Sequence, residues 1–271
     1  MTKTLIVPLD GSDTAERAVD HAVVLARLFD AEIRFVTTPW DGDSRRPARY
    51  LDAVAALSGA PSVDVQVARD PQPSLAIATL VAESPDPAIV MATRGRGPIG
   101  AAVLGSVAAS VIREVPAPVV FVGPGAQRVE AFETVVVPLD GSARSEAVLP
   151  LAGDWARALD VPARLVAVTD PTGVEGLYSV DGEYAVTEHR LEDARALLAE
   201  RGVTASSDVV PAVLPARTIV RFVRATPAPI VCMATHGRAG LARVAVGSVT
   251  MAVVRSAPCP VLCTRPPHLV D

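Results

Sequence analysis

Short runs of β-branched and apolar residues alternate along the chain with longer stretches whose apolar residues recur at helical spacing, the pattern of βαβ units feeding a mainly parallel sheet. The first half predicts strands near 4–9, 32–37, 62–68, 88–92 and 118–122, with helices between them. The second predicts strands near 134–138, 163–168, 206–212, 230–234 and 260–264. Ser12 is placed to cap the first helix, whose Ala15, Ala18, Val19, Ala22, Val23 and Ala26 form an apolar stripe, and Ser142 to cap an equivalent helix. Strands such as Ala88–Met91 and Ile230–Met233 carry no polar alternation, as expected where helices cover both faces of a parallel sheet. The fold class is therefore α/β: two tandem three-layer α/β/α units, each around a five-stranded, mainly parallel sheet.

The halves repeat each other in sequence as well as in pattern. Val-Pro-Leu-Asp-Gly-Ser occurs at Val7–Ser12 and, unchanged, at Val137–Ser142. Met91-Ala92-Thr93-Arg94-Gly95-Arg96 corresponds to Met233-Ala234-Thr235-His236-Gly237-Arg238, and Gly105-Ser106-Val107 to Gly247-Ser248-Val249. The offset is 130 residues at the first block (Val7 to Val137) and 142 at the later ones (Met91 to Met233), so the second copy carries 12 extra residues, expected near Asp170–Gly182. Domains at 1–125 and 130–271 follow, joined by the Gly-Pro-Gly linker at Gly123–Arg128.

In open parallel sheets ligands gather beyond the carboxyl ends of strands, where strand order reverses. The repeated blocks sit there. After the fourth strand of each copy a glycine is followed nine residues later by Gly-Ser: Gly95 then Gly105-Ser106, and Gly237 then Gly247-Ser248. Glycine lets the backbone approach an anion, and a helix starting near Gly-Ser offers amide N–H groups, a dipole and a hydroxyl to phosphate. For one such loop, tight turns and helix packing would explain the glycines as well; the duplicated spacing favours a binding site. Bulky residues at Gly105 and Gly247 are then expected to block a ligand and spare the fold. Asp10 and Asp140 end the first strand of each copy, where a carboxylate either accepts bonds from a sugar hydroxyl or caps the following turn. Gly95–Gly100 spells a dinucleotide fingerprint, but it follows the fourth strand and has no counterpart at Gly237-Arg238-Ala239-Gly240.

Composition narrows the partners. The chain has 271 residues, a net charge of −5 and 50% hydrophobic residues, enough for two cores, and its acidic balance offers nothing to a nucleic-acid backbone. Lys3 is the sole lysine, which excludes a phosphate-loop or Schiff-base lysine in the interior. The longest uncharged stretch, Gly97–Ile112, is broken by glycine and proline and is shorter than the roughly 20 apolar residues of a membrane span. No membrane partner follows, and with no secretory leader before the first strand the expected location is cytoplasmic. Cys232, Cys259 and Cys263 fit neither a disulfide framework nor a metal knuckle and read as buried thiols. His21 and His189 lie in helical stretches and His268 in the tail. Beyond one aspartate per half, no recurrent second carboxylate suggests acid–base catalysis.

Pro-x-Asp-Gly-Ser after the first strand, Gly-x9-Gly-Ser after the fourth and a Pro-x-Pro-Val closing strand together resemble the universal stress protein family, over nearly the whole chain. The resemblance implies an adenine nucleotide alpha hydrolase-like fold and ATP binding, with AMP or cyclic AMP as alternatives and Mg²⁺ carried on the phosphates. It departs from the family's Gly-x2-Gly-x9-Gly-Ser/Thr motif at the first glycine, here Ala92 and Ala234. Carried over by residue, it places adenine and ribose against Pro8, Asp10, Val36 and Met91, and phosphates at Arg94, Gly95, Gly105, Ser106 and Val107. The second set is Pro138, Asp140, Val168, Met233, His236, Gly237, Gly247, Ser248 and Val249, with Thr250 beside it. Arg94 and His236 would make the two sites unequal, although a surface ion pair and a solvated loop residue are the plainer readings, and the valines and methionines suit a plain core. The resemblance also implies pairing of the last strands, 118–122 with 260–264, inside one chain as a pseudo-dimer, with further homodimerisation open. It implies a regulatory, stress-response role toward an unidentified protein partner, with at most slow ATP hydrolysis. The competing reading is a dimeric interaction scaffold that binds no nucleotide.

Overall fold

In the computed structural model, which describes residues 2–40, 44–94, 104–171, 180–235 and 247–265, the alternating pattern resolves into two βα series. The first runs β1 (Thr4–Pro8), α1 (Asp13–Phe29), β2 (Glu32–Thr37), α2 (Arg45–Ser58), β3 (Val63–Val67), α3 (Pro73–Glu83), β4 (Pro87–Ala92), α4 (Ser106–Glu114) and β5 (Val119–Val122). The second runs β6 (Thr134–Leu139), α5 (Ala143–Glu146), α6 (Leu149–Leu159), β7 (Ala163–Thr169), α7 (Val180–Glu200), β8 (Ala205–Pro211), α8 (Pro215–Arg224), β9 (Pro229–Ala234), α9 (Ser248–Ser256) and β10 (Val261–Thr264).

Among the described residues the strands form one sheet in the order β3-β2-β1-β4-β5-β10-β9-β6-β7-β8. Every neighbouring pair is parallel except β5 and β10, which meet antiparallel with Val119 opposite Cys263 and Phe121 opposite Val261. The closing strands thus pair inside the chain, and the halves share a continuous sheet. Strand order reverses between β1 and β4 and again between β6 and β9, which puts a crevice at the carboxyl ends of both pairs. One core, with residues from α1, α2, α6 and α7, covers one face; the other, with residues from α3, α4, α8 and α9, covers the opposite face. Each core runs across both halves.

Two local features depart from a simple repeat. Ser12 caps α1, its Oγ accepting from the Ala15 N–H at 3.2 Å, and Ser142 likewise accepts from Ser145 at 3.1 Å. The helix that Ser142 opens stops at Glu146, however, and a second begins at Leu149 with Pro150 in its first turn. Proline lacks the N–H that would bond Glu146 and its ring crowds that carbonyl, so the undivided helix expected here is split. The register pairs Val36 with Val63's strand and Val166 with Val210's, and the extra residues of the second half fall between β7 and β8, partly in an α7 longer than α2. Residues 172–179 of the insertion lie outside the described residues.

The linker is fastened down. Arg17 of α1 donates to the carbonyls of Pro124 (3.0 Å) and Ala126 (3.1 Å), and the Gln127 N–H donates to Pro258 O at 2.8 Å. Across the same seam Phe29 meets Trp155 edge to face at 4.9 Å. The Arg265 guanidinium donates to the carbonyl of Arg113 at the end of α4.

His21, on α1, is 3% exposed and its Nδ1 has no hydrogen-bond partner among the described residues. Burial pulls its pKa from 6.5 down to about 4, with Asp20 opposing and Arg17 and Arg128 adding to the shift. The native imidazole therefore stays neutral where the unfolded chain would take up a proton. Stability from this group is complete above pH 6.5 and is lost as pH falls toward about 4, by roughly 2 to 3 kcal/mol. In urea unfolding, His21→Leu should lose less stability than the wild-type protein between pH 7 and pH 4. Parallel losses would mean that the ring is not neutral in the native state.

Candidate functional site

The crevice between β1 and β4 holds a cavity of about 330 Å³, within the range of small-molecule sites. Its floor is made by the strand ends, with Pro8, Leu9 and Asp10 leaving β1, Val36 to Thr38 leaving β2, and Met91, Ala92 and Arg94 leaving β4. Its walls come from α3, through Pro73, Ala76 and Ile77, and from the first turn of α4, through Gly105 to Ala108; Ala15 and Trp40 complete it.

Asp10 has two tasks. It lines the cavity, and its Oδ1 accepts from the Ser12 N–H (3.1 Å) and Ser12 Oγ (2.6 Å). Gly11 between them has a φ of 77°, open to glycine at little cost. Asp140, Gly141 (φ 72°) and Ser142 repeat this turn, with bonds of 3.0 and 2.6 Å. Turn-capping and a place in the crevice are thus combined in one residue.

The Gly-Ser loops are closed in the same way in both halves. The Gly105 N–H donates to Thr93 O at 2.9 Å, and the Gly247 N–H donates to Thr235 O. A Cβ on Gly105 would lie 3.3 Å from Thr93 O and 3.4 Å from the Arg94 Cα, so this glycine has a packing reason as well. Ser106 and Ser248 open α4 and α9, and neither helix has an acidic residue in its first turn. The leading N–H groups of a helix have no acceptor four residues back, and here in α4 they face a cavity.

Of the expected first-half residues, Pro8, Asp10, Val36, Met91, Ala92, Arg94, Gly105, Ser106 and Val107 all come together around this cavity. Gly95 lies outside the described residues, as do His236 and Gly237. In the second half Pro138, Asp140, Met233, Ala234, Gly247, Ser248 and Val249 occupy the equivalent strand and helix ends. Val36 and Val168 are not equivalent positions. Val36 stands opposite Pro8 in the sheet, and the residue opposite Pro138 is Val166. Val168 is two residues further along the same face, in the position of Thr38, which also lines the first-half cavity. Thr250 is buried and its hydroxyl donates to Ala234 O at 3.0 Å, fixing α9 to the end of β9.

Two signals went unread in the sequence. A second carboxylate does recur, Glu16 and Glu146, at one spacing from the shared Asp-Gly-Ser. In the second half Arg190 of α7 bonds Glu146 (3.4 Å) and the Gly141 carbonyl. In the first, α2 brings Tyr50 beside Glu16 and Gly11, where burial and then Glu16 push its hydroxyl well above the usual phenol range. Glu146 thus ties α7 to the loop, whereas the Tyr50 hydroxyl has no hydrogen-bond partner among the described residues. Trp40 is the other omission, a single large aromatic just past the end of β2 in a chain with two tryptophans.

The family model described as "Universal stress protein family" matches residues 1–123 and again 131–265. A universal stress protein of Mycobacterium tuberculosis is 31% identical over 189 residues, covering 66% of this chain and 59% of that protein, so the match spans less than two thirds of its relative. One of Methanocaldococcus jannaschii is 29% identical over 143 residues, covering 50% of this chain and 84% of the other. Among solved structures, a functionally unknown protein of Pseudomonas aeruginosa superposes with a TM-score of 0.69 at 17% identity, covering 99% of this chain and 94% of that one, a likeness of fold.

Proposed function

The chain belongs to the universal stress protein family, and from that premise we propose that each half binds an adenine nucleotide, ATP foremost, in its carboxyl-end crevice, and that the liganded protein serves regulation. The observation that carries this reading is the first-half cavity, in which a strand-end carboxylate, an apolar slot and a helix N-terminus converge. Val36, Ile77 and Met91 supply apolar surface for a purine, Asp10 an acceptor for sugar hydroxyls, and the amides of Ser106 and Val107 an electropositive end for phosphates, with Arg94 as a permanent cation beside them.

ATP would arrive as its Mg²⁺ complex. Among the described residues no cluster of three His, Cys, Asp or Glu side chains can hold a metal ion, so the donors would be phosphate, water and the Asp10 carboxylate. Asp10 is the one acid among the described residues lining the cavity, and its Oδ1 already accepts two bonds from Ser12. The lining therefore supports holding a nucleotide over turning it over. Binding would alter a surface read by a regulatory protein.

Mass spectrometry of small molecules released from purified, denatured protein should find an adenine nucleotide, and equilibrium dialysis of the stripped protein should show up to two ATP per chain. Protein recovered empty that takes up no ATP at millimolar concentration would remove the reading.

A further inference from the structure

We infer that Trp40 is the base-stacking wall of the first-half site and makes it the tighter of the two, selecting ligands that carry a planar heteroaromatic base. This rests on the nucleotide reading above and specifies what one half recognises.

Trp40 lines the same cavity as the apolar slot and is only partly buried. It is held by its neighbours: the Tyr50 ring packs against it at 5.4 Å and 43°, and the Arg46 guanidinium carbon lies 5.9 Å from its ring centroid. An indole so backed is pre-organised, and a flat ring entering the cavity gains contact without ordering the side chain first. The contrast with Trp155 is informative. That residue is 3% exposed and meets Phe29 across the seam between halves, an ordinary packing position.

The position of the wall is not aromatic in the second half. Asp170 stands at the same spacing from Val166 as Trp40 from Val36, and these valines are equivalent by their pairing with Pro138 and Pro8. A carboxylate cannot stack on a base as an indole does. Ala108, which lines the first cavity, is matched there by the larger Thr250. Two affinities follow from one repeated frame.

The test is titration calorimetry on the full chain with ATP and, as a ligand without a base, with tripolyphosphate, for wild type, Trp40→Phe and Trp40→Leu. Wild type should show two phases with ATP, the tighter quenching tryptophan emission. Trp40→Leu should weaken the tighter phase by about tenfold, and Trp40→Phe, which keeps a ring, by no more than about threefold. Tripolyphosphate affinity should be the same in all three. Equal ATP affinity in Trp40→Leu, or a parallel loss for tripolyphosphate, would overturn the stacking role while leaving the nucleotide reading intact. No ATP isotherm in wild type would overturn that reading and this inference together.

Discussion

Ser106→Asp combined with Ser248→Asp should weaken ATP binding by about 100-fold without lowering the melting temperature. Both serines are exposed first residues of the nine-residue helices α4 and α9, whose first turns contain no acid. A carboxylate placed there interacts favourably with the helix dipole, worth about 0.3–1 kcal/mol, so the fold gains slightly. The same carboxylate takes up the amides that a phosphate would use. It also repels the ligand by about 1–4 kcal/mol per pair of charges at 4 Å, between the limits of water and a protein surface. ATP carries several charges, and about 2.7 kcal/mol already gives the stated factor. A bulky residue at Gly105 is a poorer probe than its place in the motif implies, because its Cβ would press on the Thr93 carbonyl at 3.3 Å and disturb the loop itself. The single variants separate the halves: Ser106→Asp should erase the phase that quenches Trp40, and Ser248→Asp the other. Undiminished affinity in the double variant would disconnect the helix ends from the ligand.

Strands were the most legible part of this molecule, and the reason is burial. The central strands are covered on both faces, so Ile89–Ala92 and Ile230–Ala234 read as unbroken apolar runs whose ends fall within a residue or two of the pattern. Repetition located the crevice as well, since the Asp-Gly-Ser turn and the Gly-Ser helix start recur where strand order reverses. What spacing does not convey is register between strands distant in sequence. Val168 was matched to Val36 by resemblance, and only the pairing of Pro138 with Val166 shows the shift of two. Trp40 was invisible for a related reason: its meaning comes from Tyr50 and the cavity, which the chain reaches by folding α2 back over the loop. Pro150 and the recurrent Glu16 and Glu146 are legible in the sequence itself.

Gly-Pro-Gly after β5 reads as punctuation between domains, yet its glycines answer to a helix in the other half. Gly123→Val should destabilise the protein by about 3 to 4 kcal/mol. A Cβ on Gly123 would lie 2.6 Å from the carbonyl oxygen of Val254, inside the last turn of α9. That oxygen is backbone held by a helix, so no side-chain rotation relieves the contact. Relief requires β5 to slide along β10, and those two strands are the only ladder among the described residues that joins the halves. Such a slide would also disturb the bonds from Arg17 to the linker carbonyls and from Gln127 to Pro258, so the cost is shared by the whole seam. Gly125→Ala provides a graded comparison, because its Cβ would stand 3.1 Å from Ala257 O and a small adjustment suffices. Urea unfolding should rank wild type above Gly125→Ala and Gly125→Ala above Gly123→Val, with the last also cut faster by trypsin at Arg128, whose chain sits on the loosened seam. A Gly123→Val protein as stable and as protease-resistant as wild type would mean that the two halves are not held in register by this contact.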